Sequence, residues 1–192
     1  MLHALRLVSW LLVVVYATIP SYWLVIHPFA DYWRTRKGAV MPIVGLTWLV
    51  CMVLAGVATW PLLDRLLYET PFSWIAAFVI AVPGIYIYRR TRPGFTRAQL
   101  IGQAELKPEE HEQVLVTAGL RQRVRHPIYL GHLLMITAWT VGGGTSAHFA
   151  LWAFAILTGA LMIHYEEKEL VRRFGDAYRE YQKQVPAIIP RV

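Results

Sequence analysis

Residues 5–26 are apolar apart from Arg6, Ser9, Thr18 and Ser21. At about 1.5 Å per residue, a helix of that length matches a hydrocarbon core about 30 Å thick. A segment with no polar face has no place on the surface of a water-soluble domain, so this run directs the chain into a bilayer. A cleaved signal peptide is the rival reading. Its basic region would be a lone Arg6, no small-x-small cleavage site follows, and the apolar run is too long for such a leader. The rest of the chain agrees. Of 192 residues, 56% are hydrophobic and 16% charged, against about 25% charged in soluble domains. That balance argues against a disordered chain, a disulfide scaffold or a coiled coil, and Cys51 alone excludes disulfide pairing and a cysteine-based metal site.

Further spans follow by the same criterion. Residues 40–60 form one, stopped by Pro61, and residues 72–88 another, with a kink expected at Pro83. Residues 89–125 then carry eight basic and four acidic side chains and read as an extramembrane loop. Two apolar runs, 128–141 and 147–165, flank Gly142-Gly143-Gly144-Thr145-Ser146 and predict a tight helical hairpin with a glycine turn. Beyond it, Leu170, Phe174, Tyr178, Tyr181 and Val185 recur on one helical face, so residues 166–192 predict an amphipathic helical tail on the membrane surface or on the domain. The fold class is therefore an all-α integral membrane bundle of about five transmembrane helices. It forms a single domain over 1–192: three N-terminal spans to residue 88, a loop over 89–127, the hairpin over 128–165 and the tail.

Charge sets the orientation. The loop at 31–38 has Arg34, Arg36 and Lys37 against Asp31, whereas the loop at 61–71 has only Arg65 against Asp64 and Glu69. With five spans, both basic loops and the tail fall on one side, which the positive-inside rule makes the cytoplasm. The formal net charge of +7 is thereby a topology signal, and nucleic acid is not an expected partner. A bacterial or archaeal plasma membrane is the expected location.

The same topology brings two polar clusters together. Arg125, His126 and Tyr129 stand where the hairpin leaves the cytoplasmic face, and His164, Glu166 and Glu167 stand where it returns. Pro127 suits the first turn of a helix, whose free N–H groups suit a carboxylate or phosphate. A zwitterionic or cationic ligand fits between the clusters. The alternative is structural: Arg123 and Arg125 snorkel to lipid phosphates, while Glu166 and Glu169 pair with Lys168, Arg172 and Arg173 along the helix. Glu105 and His111 stand in the basic loop as candidates for a lid, or as solvated loop charges.

These residues also carry a resemblance. Leu115-Val116-Thr117-Ala118-Gly119, Arg125-His126-Pro127-Ile128-Tyr129-Leu130-Gly131, an apolar hairpin, Glu166-Glu167, Phe174-Gly175 followed by Tyr178 and Tyr181, and Val185-Pro186 with Pro190 resemble the C-terminal half of the isoprenylcysteine carboxyl methyltransferase family. That superfamily of membrane methyltransferases includes phospholipid N-methyltransferases, and the resemblance runs from about residue 113 to 190. It implies S-adenosyl-L-methionine as cofactor, bound at the cytoplasmic face by Gln113, Val114, Leu115, Val116, His126, Pro127, Tyr129 and Glu166. It also implies methyl transfer to a lipophilic small-molecule or lipidated acceptor drawn from the membrane. An isoprenylcysteine-type carboxylate is the first choice, with Arg125 to position it; a lipid amine or a thiol is the second, with Glu167 or His164 as base. Leu120-Arg121 departs from the eukaryotic pattern, which has a tyrosine there, and Met162 stands where those enzymes place an arginine for the substrate carboxylate.

Other classes make different demands. A membrane redox protein would use His126, His132 and His164 as haem ligands. A fold like the sterol reductases would bind NADPH, and a non-catalytic membrane subunit would bind neither cofactor. No Gly-x-Gly-x-x-Gly opens a helix after a strand, so a soluble dinucleotide-binding fold is not indicated. No metal site is expected.

Overall fold

The apolar runs become long helices arranged around the first of them. The computed structural model describes residues 2–36, 40–91, 101–107, 110 and 114–190. Helix α1 (Leu2–Ile26) is continued by a 3-10 turn and by the short α2 (Ala30–Arg34). Helix α3 (Val40–Thr59) follows, then α4 (Phe72–Thr91), the single turn α5 (Gln103–Leu106), the hairpin pair α6 (Pro127–Gly143) and α7 (Ser146–Phe174), and α8 (Asp176–Gln184). Among the described residues, four helical stretches are long and apolar enough to cross a membrane: Leu2–Arg34, Val40–Leu62, Phe72–Thr91 and Ser146–Phe174. Helix α6 has 17 residues, which at about 1.5 Å each falls a little short of a full hydrocarbon core. This is an integral membrane protein built from helices.

Helix α1 packs on α3, α6 and α7, while α4 packs along α6. Trp10, Val13, Val14 and Ala17 of α1 meet Ile136, Ala147 and Leu151 in the core. The outward faces of α3 and α4 are as apolar as their inward ones: Leu54, Val57, Phe78 and Val79 are all exposed. In water, so continuous an apolar surface would drive association; in lipid it lies in its own solvent. Helix α4 continues as helix through Pro83. It approaches α6 closely at Gly84 and Gly131, where a Cβ would press on Leu134 and on the Tyr88 ring.

The glycine turn does more than change direction. Only Gly144 needs the left-handed backbone, capping α6 at φ 64° and donating its N–H to the Thr140 carbonyl. Gly142 and Gly143 remain helical and are small because a Cβ would enter the Trp74 and His148 rings. The 63–70 loop encloses the turn, since Leu67 N–H donates to the Gly144 carbonyl, Ser146 N–H to that of Arg65, and the Tyr68 hydroxyl to that of Val141. His148, fully buried, holds Ser9 Oγ at 2.8 Å and Thr145 Oγ1 at 2.7 Å. His148 and His27, each near the end of an apolar run, are both buried in the protein.

The tail is not one helix. It continues α7 to Phe174, breaks at Gly175 (φ 59°, ψ −133°) and restarts as α8. Gly175 allows a backbone that other residues rarely adopt. The break turns α8 back onto the domain, burying Tyr178 to 2% exposure. Backbone bonds from Arg125 N–H to the Pro186 carbonyl and from His126 N–H to that of Ala187, 2.9 and 3.0 Å, then tie the end of the chain to the start of α6.

Candidate active site

Helix α6 begins at Pro127, and α7 carries Glu166 and Glu167 past the same end of the bundle. The two polar clusters meet there. His126 stands between the glutamates, with Nε2 3.1 Å from Glu167 Oε1 and Nδ1 3.5 Å from Glu166 Oε2, and its ring is stacked on Tyr129 at 5.4 Å.

The paired glutamates have different surroundings. Glu167 Oε1 accepts from Arg125 Nε at 2.7 Å, from Arg125 Nη2 at 2.5 Å and from His126, while Oε2 accepts from Gln182 at 3.1 Å. Arg125 is equally occupied, because its Nη1 donates to the carbonyls of Gln182 and Val185. The bidentate pair and two tail carbonyls make a clamp that fastens α8 to the start of α6. Glu166 is left open. Its Oε2 is buried without a hydrogen bond, 3.5 Å from His126 Nδ1, and the Tyr129 hydroxyl faces the same carboxylate.

A cavity of about 490 Å³ has Glu166 in its wall. At its polar end stand Arg121, Arg125, His126, Glu166, Tyr178 and Tyr181; at the other end, between the helices, stand Ile19, Tyr22, Trp48, Ile128 and His132. Val114, Leu115, Val116, Pro127 and Tyr129 complete the wall. Of the residues that the sequence suggested for the cofactor, all that are described line this one space. Gln113 lies outside the described residues, as does His111.

The three suggested catalytic residues are divided. Arg125 lines the cavity with its donors engaged by the clamp. Glu167 and His164 line a separate, more open groove with Lys168, Arg172 and Gln182. Glu167 is directly behind the main cavity's wall, against Arg125, His126 and Tyr178.

The sequence leaves the roles of several wall residues undecided. Glu105 reads either as a lid residue or as a solvated loop charge. Helix α5 folds under α1: the Tyr22 hydroxyl donates to the Ile101 carbonyl at 2.9 Å, and Leu106 joins a core with Ile26, Val40 and Val44. Glu105 then faces His27, with Oε2 3.1 Å from Nδ1. Burial pushes the Glu105 carboxyl up, but the His27 ring, Arg173 and Arg34 together outweigh it and hold the group below the ordinary carboxylate range. Arg121 is shifted down by burial, opposed by Tyr181 and Glu166. Burial, with the Glu167 and Glu166 charges adding to it, raises the Tyr178 hydroxyl far above its ordinary value, so it stays a neutral donor. The three-residue spacing of Tyr178 and Tyr181 was the available signal for their role.

The fold and cavity define a helical membrane protein with an enclosed site at one end of its bundle. Its similarities narrow that class. The chain is 37% identical to the Delta(14)-sterol reductase TM7SF2 of Mus musculus over 92 residues, 46% of this chain and 22% of that protein. It is 38% identical to Methanethiol S-methyltransferase 2 of Bradyrhizobium diazoefficiens over 78 residues, 40% of this chain and 29% of that protein. It is 38% identical to Protein-S-isoprenylcysteine O-methyltransferase B of Arabidopsis thaliana over 93 residues, 46% of this chain and 45% of that protein. The match thus spans less than half the length of each of these relatives. No protein-family model and no solved structure matches the chain.

Proposed function

We propose that the chain is a membrane methyltransferase that binds S-adenosyl-L-methionine at the polar end of the cavity and methylates a lipophilic acceptor held at the other. The observation that carries this reading is Glu166, whose buried Oε2 makes no hydrogen bond, in the wall of a cavity that runs from charged to apolar residues. A buried carboxylate oxygen that lacks a hydrogen bond is costly, and a bound ammonium group reduces that cost. The methionine end of the cofactor carries such an ammonium. Arg121 stands at the same end as a cation suited to a carboxylate; the Tyr178 and Tyr181 hydroxyls, which donate to Glu167 Oε1 and to the Arg121 carbonyl, keep lone pairs that can accept from a ribose hydroxyl, and the stacked His126 and Tyr129 rings offer a flat wall to adenine. The polar end faces the cytoplasm.

Bound there, the cofactor supplies a methyl group on a sulfonium. The chain's own contribution is to orient and to exclude water: the clamp closes the tail over the cavity, and Glu105 with Ile101 closes it from the loop side. Names of relatives support a thiol or an isoprenylcysteine carboxylate as acceptor.

The reductase similarity makes NADPH the competing ligand, and a positively charged ligand group is the discriminator. Calorimetric titration of the purified chain should give binding of S-adenosylmethionine and S-adenosylhomocysteine but not NADPH. Glu166→Gln should weaken S-adenosylmethionine by roughly 10- to 100-fold, the equivalent of about 1.5–3 kcal/mol for a charged hydrogen bond. Binding of NADPH alone would overturn the reading.

A further inference from the structure

One titratable group in the cavity has no part in the polar end. His132 lies six residues beyond His126 on α6, about 9 Å further into the bundle at 1.5 Å per residue, and its ring lines the cavity. His132 Nδ1 is 3.0 Å from the Ile128 carbonyl. A carbonyl oxygen can only accept, so Nδ1 carries the proton and the neutral ring keeps its lone pair on Nε2. The ring is also fixed in place by Tyr88 and Tyr16, at centroid separations of 5.3 and 5.5 Å. Those two hydroxyls face each other. The surroundings of His132 are thus aromatic and uncharged, supplied by α1, α4 and α6. The three arginines lining the cavity belong to its polar surroundings: Arg125 is in the clamp, Arg173 is paired with Glu169, and Arg121 faces Tyr181 and Glu166.

This arrangement suits one kind of acceptor better than another. A carboxylate is already ionised and needs a cation to hold it; a thiol needs a partner that takes its proton. A neutral imidazole with a fixed lone pair in an apolar wall provides the second and not the first. We propose that His132 Nε2 is the proton acceptor of the reaction and that the acceptor is a lipophilic thiol. This rests on the reading of the cavity as a methyltransferase site. In the step, the thiol S–H bond breaks and its proton passes to Nε2, while the sulfur's electron pair forms the new S–CH3 bond. The pair of the broken C–S bond stays with the sulfonium sulfur of the methyl donor, which leaves as a neutral thioether. The imidazolium returns the proton to solvent through the polar end, where His126 stands.

The test uses the full chain in nanodiscs, with 1-decanethiol and an S-farnesylated cysteine carboxylate as acceptor probes. In nitrogen-15 spectra of histidine-labelled protein, the His132 Nε2 resonance should lie in the unprotonated range, and with S-adenosylhomocysteine bound it should move when decanethiol is added. The prenylated carboxylate should leave it unmoved. His132→Gln should keep S-adenosylmethionine affinity within about twofold while slowing transfer to decanethiol by about a hundredfold or more at neutral pH. That loss should shrink as the pH approaches the thiol's own pKa, since a preformed thiolate needs no base. A protonated Nε2, a variant that retains full thiol transfer, or a loss independent of pH would each overturn the assignment. Failure of the parent chain to bind S-adenosylmethionine would instead remove the methyltransferase reading, and the assignment with it.

Discussion

Removing Arg125 should open the tail, and the size of the effect follows from the contacts. Arg125→Ala deletes two bonds to Glu167 and one each to the Gln182 and Val185 carbonyls. The side chains are 9% and 18% exposed, so Glu167 is left as a largely buried charge. Loss of one partner from a buried pair costs about 3–5 kcal/mol. His126 and Gln182 still donate to Glu167, which places the expected cost near the lower figure, about 3 kcal/mol. Hydrogen exchange reads this locally. The amides of Arg125, His126 and Val185, which bond to Pro186, Ala187 and Tyr181, should lose protection by about a hundredfold, while the core of α1 is unchanged. Combined with Glu167→Gln, the cycle should show a coupling of about 2 kcal/mol or more. A protection change below about fivefold, or additive single effects, would refute the clamp. In that case Arg125 would return as a candidate for holding substrate.

Three further outcomes are expected. Gly143→Ala should lower the temperature of irreversible unfolding by several degrees through the His148 ring, at a cost of about 2–3 kcal/mol typical of overpacking; Gly45→Ala, where nothing lies within 4 Å of the added Cβ, should be neutral or stabilising. The folded chain holds the Glu105 carboxyl below its unfolded value, so this group's contribution is complete above about pH 5 and is lost as pH falls through the lower, folded pKa. The stability gap between the parent chain and Glu105→Gln should therefore narrow between roughly pH 5 and 3 in urea titrations. Trp48→Ala should leave S-adenosylmethionine affinity within about twofold and shift acceptor preference toward longer chains, measured by competition between alkyl acceptors; unchanged preference would exclude the apolar end as the acceptor's seat.

The membrane class and most helix positions were legible because a span is a composition rule carried by about 20 consecutive residues. The meeting of residues 125–129 with 164–167 was legible too, since a hairpin returns to the side it left. Roles within the meeting were not. Glu166 and Glu167 are adjacent in sequence and nearly equivalent in it. A helix points consecutive residues about 100° apart, so one meets the cavity and the other the clamp, and nothing but packing decides which. The contact of Glu105 with His27 was illegible for a related reason. Local composition describes a solvated loop and an interfacial histidine, whereas the contact between them spans 78 positions and depends on α5 folding under α1. His132 could be placed on α6 from sequence, but not its tautomer, which is fixed by the Ile128 carbonyl.

The placement of the cavity bears on how one C-terminal half can serve different chemistries. The resemblance read from the sequence covers residues 113–190, and those residues build the polar end and, through Ile128 and His132, part of the other. Ile19, Tyr22 and Trp23 come from α1, Trp48 from α3, and Ile101 and Glu105 from the α5 segment, all outside that stretch. A ligand common to all relatives would be recognised by the shared half and a variable acceptor by the other, so proteins alike over only part of their length can carry different reaction names. The α1, α3 and α5 residues are then more than an anchor: they share the wall of the cavity with α6. Exchanging Ile19, Tyr22 and Trp48 as a set should change what is methylated while Glu166 and Tyr178 go on holding the same donor. Loss of donor binding in that exchange would show that the two ends are not separable.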